Sequence, residues 1–370
     1  MSEERKLATI RKIIELSSIE NADNILLATI DGWKCVVKKD EFKVGDLCVY
    51  FEIDSVVDIT NKTFEFMKET KGRVKIRKFR GQFSSGLIMP LDVLKKKHNL
   101  GDDVTAELNV EKYIPPAERV VYERETKRKH SRFYKFFMKF KWFRDWQKKR
   151  LLKQAGSGFP TWIRKTDEVR VQNEPEKYKE LIETNDYYVT EKIDGSSITI
   201  WMKRKGKKFD FGICSRNRGL NLKHSGVNDT IFIKTVESLN IKPILQKLLQ
   251  ESPLNNNIVL QGELWGVALT KNKYGKSEQY ISFFNLLING IRQNRLTTLS
   301  SFKDYKDLLL VPTLDVKLTG DIEEDLKIVN NYKSTIDSKS NIEGFVIRNN
   351  LETTWSYKLL SQTYMLKNGD

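Results

Sequence analysis

Tyr187-Tyr188-Val189-Thr190-Glu191-Lys192-Ile193-Asp194-Gly195-Ser196-Ser197-Ile198-Thr199-Ile200-Trp201 sets apolar and β-branched residues on either side of a short polar centre. The pattern predicts a strand, a tight turn at Asp194-Gly195 and a returning strand. Lys192 is then presented at the end of a rigid β scaffold. To act as a nucleophile it must first lose a proton, and an unperturbed lysine titrates near about 10.4. Nearby cations or a metal would have to lower that value, and Asp194, two residues on, can help hold the metal. Taken alone, Lys192-Ile193-Asp194-Gly195 suits a plain strand–turn–strand equally well, so the rest of the chain has to decide.

The 370 residues suffice for two or three domains, each with its own core. Aromatics are well represented and mean hydropathy is low, as in a folded, soluble chain. The start Met1-Ser2-Glu3-Glu4-Arg5-Lys6 has no signal-peptide pattern, and no apolar run reaches membrane-spanning length. Cys35, Cys48 and Cys214 are scattered, as are His98, His130 and His224, which argues against a disulfide framework or a Cys-x-x-Cys zinc site. An intracellular, reducing location and a monomer are expected. The net charge of +16 is uneven: residues 1–110 are nearly neutral, 111–155 carry about +10, and the remainder about +5. Such concentration points to a phosphate-backbone partner more than a uniformly basic surface would.

From Ala8 to Pro90, short β-like runs alternate with glycine turns, for example Ile25–Ile30, Asp31-Gly32, Trp33–Val37, then Gly45-Asp46 and Leu47–Ile53. This spacing predicts a small β-barrel of OB type over 1–112. The cluster Lys75, Arg77, Lys78 and Arg80 is either a solvated face or a nucleic-acid contact. Pro115-Pro116 opens a basic, aromatic-rich linker, 113–155. In it Phe133, Phe136, Phe137, Phe140 and Phe143 fall at helical spacing among cations that include Lys139, Lys141, Lys148 and Lys149. A membrane-surface helix, a helix packed on its neighbours, and a helix tracking phosphates all fit. Packing with phosphate contact is the reading adopted, and no membrane is expected.

Lys165-Thr166-Asp167-Glu168-Val169-Arg170-Val171-Gln172-Asn173, followed some twenty residues later by Thr190-Glu191-Lys192-Ile193-Asp194-Gly195, resembles the ATP-dependent RNA ligases with an N-terminal OB domain before the nucleotidyltransferase domain. These share the Lys-x-Asp-Gly signature of covalent nucleotidyltransferases. Ile19-Glu20-Asn21-Ala22-Asp23, Asp31-Gly32-Trp33 and Phe51-Glu52-Ile53-Asp54-Ser55 are similar to that family's OB module. The resemblance covers both ends of the chain and implies an α+β fold. Its parts are an OB-like barrel, a basic helical linker, and at 156–370 an ATP-grasp-like nucleotidyltransferase domain of antiparallel sheets with flanking helices.

The resemblance also implies roles. Lys192 would form a lysyl-AMP, with Glu191 and Gly195 beside it in the nucleotide pocket. In Ser215-Arg216-Asn217, Arg216 would contact phosphate, as would Arg170. Glu263, in Gln261-Gly262-Glu263-Leu264-Trp265-Gly266, would hold the ribose. In Ile281-Ser282-Phe283-Phe284-Asn285 one aromatic would stack on adenine, and alternation lets one face the pocket, taken as Phe284. In Ile342-Glu343-Gly344-Phe345-Val346-Ile347, Glu343 with Asp194 would bind Mg²⁺ or Mn²⁺. In Ser356-Tyr357-Lys358-Leu359-Leu360, Lys358 would neutralise the α-phosphate. The family's usual second lysine is Leu360 here, and Lys367 is the available substitute. Gly275-Lys276-Ser277 imitates a P-loop ending, but Thr270 occupies the position of its first glycine.

The implied activity is sealing of 3′-hydroxyl and 5′-phosphate ends with ATP, at nicks in RNA-containing duplexes, with Lys75, Arg77 and Arg80 on the nucleic acid. DNA ligases and capping enzymes generally carry an OB domain after the transferase domain, and about a dozen residues follow Lys358. An inactive OB-containing nucleic-acid-binding protein is the alternative from another class, favoured only by Leu360. It would bind strands without forming a lysyl adduct.

Overall fold

Tyr187–Glu191 and Ser196–Lys205 are both strands, as the alternation predicts, but they do not pair with each other. Tyr187–Glu191 runs antiparallel to Gly344–Asn349 in a five-stranded sheet, whereas Ser196–Lys205 runs antiparallel to Asn257–Gly266 in a six-stranded one. Residues 192–195 therefore cross from one sheet to the other, which corrects the hairpin expectation. Tyr187–Glu191 takes its partner from more than 150 residues downstream, and the hairpin of Ser196–Lys205 is made with Lys208–Ser215 instead. The structure, a computed structural model, describes residues 5–113, 158–222, 227–267, 272–351 and 355–368. The linker helix, with Lys139, Lys141, Lys148 and Lys149, lies outside the described residues.

The five-stranded sheet runs in the order Val169–Arg170, Ser356–Leu360, Gly344–Asn349, Tyr187–Glu191, Thr313–Leu314. The six-stranded sheet runs Lys208–Ser215, Ser196–Lys205, Asn257–Gly266, Gln279–Ile288, Ile291–Arg292, and Leu309–Leu310 pairs with Gln279–Ile288 off that path. Most pairs are antiparallel as expected, but Val169–Arg170 with Ser356–Leu360 and Leu309–Leu310 with Gln279–Ile288 are parallel. Each sheet packs its own helices. Ile198, Ile200 and Met202 alternate into a core with Ile241, Leu245 and Leu249 of the helix Ile241–Gln250. Val189, Phe345 and Ile347 meet Tyr178 and Leu181 of the helix Pro175–Glu183 and Val329 of Ile322–Asn331. A fully buried side chain of this kind contributes about 1.5–3 kcal/mol relative to exposure.

The described N-terminal residues are β-structured apart from the 3₁₀ segments Lys62–Thr70 and Leu91–Val93. Ala8–Lys12, Leu47–Phe51 and Leu87–Met89 form one sheet, and Glu15–Ile19, Ala22–Ile30 and Trp33–Lys38 another. Two short pairs, Arg77–Phe79 with Gln82–Ser84 and Ser55–Val56 with Glu111–Lys112, stand apart. The expected barrel is thus open. At its corner the chain changes sheets within two residues: the Ile13 amide donates to Asp46 O at 2.9 Å and the Ile14 amide to Thr29 O at 2.8 Å. The α+β reading holds.

The two halves meet along one seam. The indole N–H of Trp33 donates to Asn173 Oδ1 at 2.9 Å, and Asn173 Nδ2 donates to Glu52 Oε1 at 2.8 Å. Gln362 Nε2 donates to Ser85 Oγ at 3.1 Å, and Met365 packs on the N-terminal core that contains Trp33 and Tyr50. Gln362 and Met365 lie in the helix Gln362–Asn368, directly after the strand that carries Lys358.

Candidate active site

Residues 192–195 are fixed from both sides. The Lys192 amide donates to Gly344 O at 2.9 Å on the five-stranded sheet, and the Asp194 amide donates to the Tyr274 hydroxyl at 2.9 Å. Gly195 does not supply a positive φ. It is required for closeness, because a Cβ there would lie 2.3 Å from Leu264 O and 3.0 Å from Glu263 Cγ of the six-stranded sheet. The Lys192 side chain then reaches Glu343, with Nζ to Oε1 at 2.5 Å. Glu343 precedes the strand Gly344–Asn349, neighbour to the strand before Lys192, so one ladder sets both ends of the pair.

Carboxylates dominate the field on Lys192. Burial pulls its pKa down, but Glu343, Glu263 and Asp194 outweigh burial and hold the ammonium above its ordinary value. This reverses the expectation that neighbouring cations depress it; the long-range pairing brings acids to the lysine. Burial pushes Glu263 up to about 8, opposed by Lys192. Burial also raises Glu343, against the pull of Lys192.

Asp194 Oδ2 accepts from the Tyr364 hydroxyl at 2.5 Å and pairs with the Lys273 ammonium, which lies 5.0 Å from the Tyr364 ring centroid. Glu343 Oε2 is buried with no hydrogen-bond partner. An orphaned carboxylate oxygen beside an acidic neighbour suits a hard cation. Among the described residues, no three His, Cys, Asp or Glu side chains converge as a metal-binding group. The fit is therefore to Mg²⁺ or Mn²⁺ held by one or two carboxylates with water and phosphate completing the shell.

Lys358 faces Asp167, Nζ to Oδ1 at 2.8 Å, and Lys112 reaches the other oxygen at 3.8 Å. Burial lowers Lys358 to about 8, with Asp167 opposing and Arg170 and Arg5 adding to the fall. Lys358 holds Asp167 well below the usual carboxylate range against the effect of burial. An unfolded lysine keeps its proton to about 10.4. Between about 8 and that value the unfolded chain binds the extra proton, so this group's contribution to stability rises with pH. The charge that can oppose phosphate fades over the same interval.

Phe283 is 1% exposed in the core of the six-stranded sheet. Phe284 instead packs with Ile193 and Trp265, and the buried Arg348 guanidinium lies 5.7 Å from its ring centroid. Arg348 is itself fixed by Glu168 at 2.9 Å. Phe284 is thus the member of the pair beside residues 192–195. Arg216 is exposed and close enough to act on both Glu263 and Asp167, between the two clusters. Arg170 pairs in register with Lys358 but is buried at the seam, 5.5 Å from the Trp33 ring centroid, with Nε unpartnered.

Glu191 is turned elsewhere. Its carboxylate accepts from Ser334 Oγ and Thr335 Oγ1, both at 2.5 Å, and from the Thr335 amide at 2.9 Å, so it anchors that loop instead of lining the nucleotide pocket. Leu360 is buried against Gly344. Lys367 is exposed and, with Lys273, Tyr274, Lys339 and Tyr364, lines a cleft of about 330 Å³ next to Asp194. Lys75 is half-buried, and Arg77 and Arg80 are exposed on the Arg77–Ser84 hairpin. Sequence reasoning missed Lys273, Tyr364 and Asp167 as partners of the motif residues. A lone lysine and tyrosine carry no local signal, and Asp167 stood inside a quoted phrase without a role.

Two family models match the chain: an OB-fold domain over residues 7–91 and RNA ligase over residues 185–360. No curated protein matches its sequence. The solved structure of Naegleria gruberi RNA ligase with PPi is 28% identical, with a TM-score of 0.78 over 99% of this chain and 100% of that one. A lysine-to-methionine variant of the same ligase with AMP and Mn is 28% identical at a TM-score of 0.76, covering 99% of this chain and 100% of that one. A lysine-to-alanine variant with ATP and Mn is 28% identical at 0.75, covering 99% and 98%.

Proposed function

We propose, for a chain whose residues 185–360 match an RNA ligase family model and whose residues 7–91 match an OB-fold model, that it seals 3′-hydroxyl and 5′-phosphate RNA ends with ATP through a lysyl-AMP at Lys192. The observation that carries this reading is a half-buried lysine in the field of three carboxylates, at the crossing between two sheets, with Phe284 beside it. Nicks in duplexes are the proposed substrate. The division into 1–112, 113–155 and 156–370 belongs to the same proposal.

Lys192 Nζ, once deprotonated, attacks the α-phosphorus; a P–N bond forms and the bond to pyrophosphate breaks. The AMP then passes to an oxygen of the RNA 5′-phosphate as the P–N bond breaks. Finally the 3′-hydroxyl gives up its proton and attacks the phosphorus of that RNA 5′-phosphate; the new phosphodiester forms as the bond to AMP breaks. Asp194 and Glu343 would hold Mg²⁺ or Mn²⁺, which when bound offsets phosphate charge and relieves the acidic field that keeps Lys192 protonated. In this reading Glu263 accepts from the ribose hydroxyls and Phe284 covers the adenine face. Lys358 and Arg216 oppose the α-phosphate charge as it is redistributed.

Transfer of label from α-labelled ATP to the protein tests the assignment. A covalent label that pyrophosphate discharges is expected. No label, even after pyrophosphate pretreatment to strip a resident adenylate, would overturn it. A separate result concerns residues 113–155. Neutralising Lys139, Lys141, Lys148 and Lys149 together is expected to lower the slope of log affinity against log salt for nicked RNA by up to about 3, and an unchanged slope would reject that contact.

A further inference from the structure

Arg77–Phe79 and Gln82–Ser84 form a two-stranded sheet of their own, in register Arg77 with Ser84, Lys78 with Phe83 and Phe79 with Gln82. The loop is two residues, Arg80 at φ 46° and Gly81 at φ 88°, a tight turn whose first position ordinarily favours asparagine, aspartate or glycine. An arginine held left-handed costs about 1–2 kcal/mol, which marks the position for a use of its side chain.

Strand alternation separates the two faces of this arm. Phe83 packs on the N-terminal core, and the Lys78 ammonium lies 5.1 Å from its ring centroid. Phe79 points the other way and is 37% exposed. Among the described residues, the only other exposed aromatic is Phe66, whose neighbours Glu65 and Glu69 would repel a phosphate chain. Phe79 shares its face of the arm with Arg77 and is followed by Arg80 in the turn, with no acid in the hairpin.

The base of the arm is fixed on the active-site side of the seam. Ser84 Oγ accepts from the Val36 amide at 3.0 Å, and Ser85 Oγ accepts from Gln362 Nε2 at 3.1 Å. Gln362 opens the helix whose Tyr364 donates to Asp194.

We propose that Phe79 is a stacking platform for an RNA base near the join, with Arg77 and Arg80 on the adjoining phosphates. This rests on the ligase reading above and names a contact within it. A base laid on the exposed ring gains stacking and buries apolar area without any base-specific hydrogen bond, so the arm accepts any sequence.

The test is fluorescence anisotropy of the full chain with a labelled oligoribonucleotide carrying a nick, across a salt series, alongside labelling by α-labelled ATP. Phe79→Ala is expected to bind roughly tenfold more weakly, with an unchanged salt slope. Phe79→Trp is expected to bind as the unsubstituted protein does, whereas Phe79→Leu, apolar but not planar, falls with alanine. Arg77→Gln and Arg80→Gln should each lower the salt slope by about 0.7–0.9. All variants are expected to label normally with ATP. Normal labelling with Phe79→Ala at full affinity, or Phe79→Leu binding as well as Phe79→Trp, would overturn the platform and leave the ligase reading standing. Absence of labelling in the unsubstituted protein would overturn the ligase reading itself.

Discussion

Lys192→Ala is expected to take no label from α-labelled ATP and to leave a phosphorylated nick unsealed, with the rate down by roughly a million-fold, the scale of a lost covalent nucleophile. The loss should be specific to the nucleophile. The backbone bond from residue 192 to Gly344 O survives the substitution, so the five-stranded sheet keeps its register. Pre-adenylylated RNA bypasses the missing step, and the variant should retain measurable sealing of that substrate. Full sealing of an ordinary nick by Lys192→Ala would end the assignment.

Gly195→Ala has the second largest expected effect, for a different reason. Its methyl group would collide with Leu264 O at 2.3 Å, a backbone atom in the centre of a sheet that cannot rotate aside. Relief requires residues 192–195 to move away from the six-stranded sheet, carrying Asp194 with them. A displacement near 1 Å of aligned groups costs on the order of 10²-fold in rate. Loss of adenylylation by about that factor, with both sheets still folded by circular dichroism, is expected; wild-type labelling would show that the close approach is not needed.

This glycine also shows where the sequence misled. Asp194-Gly195 has the composition of a turn, and close backbone approach selects the same residue, so local chemistry cannot separate the two uses. What decides is the pairing of Tyr187–Glu191 with Gly344–Asn349, more than 150 residues downstream. The strand period was legible, and it set Phe283 and Phe284 on opposite faces, since alternation is a local property; which of the two lies beside residues 192–195 is decided by the packing of Phe284 on Ile193. The composition of the first hundred residues showed its β character, but not that the strands leave the barrel open. Long-range side-chain partners were not legible: Glu191 with Ser334 and Thr335, Lys358 with Asp167, Asp194 with Tyr364. For the same reason the direction of the Lys192 shift came out opposite to expectation. Two of the acids that set it, Glu343 and Glu263, arrive from strands distant in sequence.

Because residues 192–195 cross between two sheets, the pocket has two jaws. Lys192 and Glu343 ride on one, tied by the bond to Gly344 and by their adjoining strands, while Glu263 and Phe284 ride on the other. Any relative shift of the two sheets would leave the lysine–glutamate pair intact and change the gap from Lys192 to Glu263 and Phe284. In the proposed reaction, attack distance would then be set by how closely the two sheets approach.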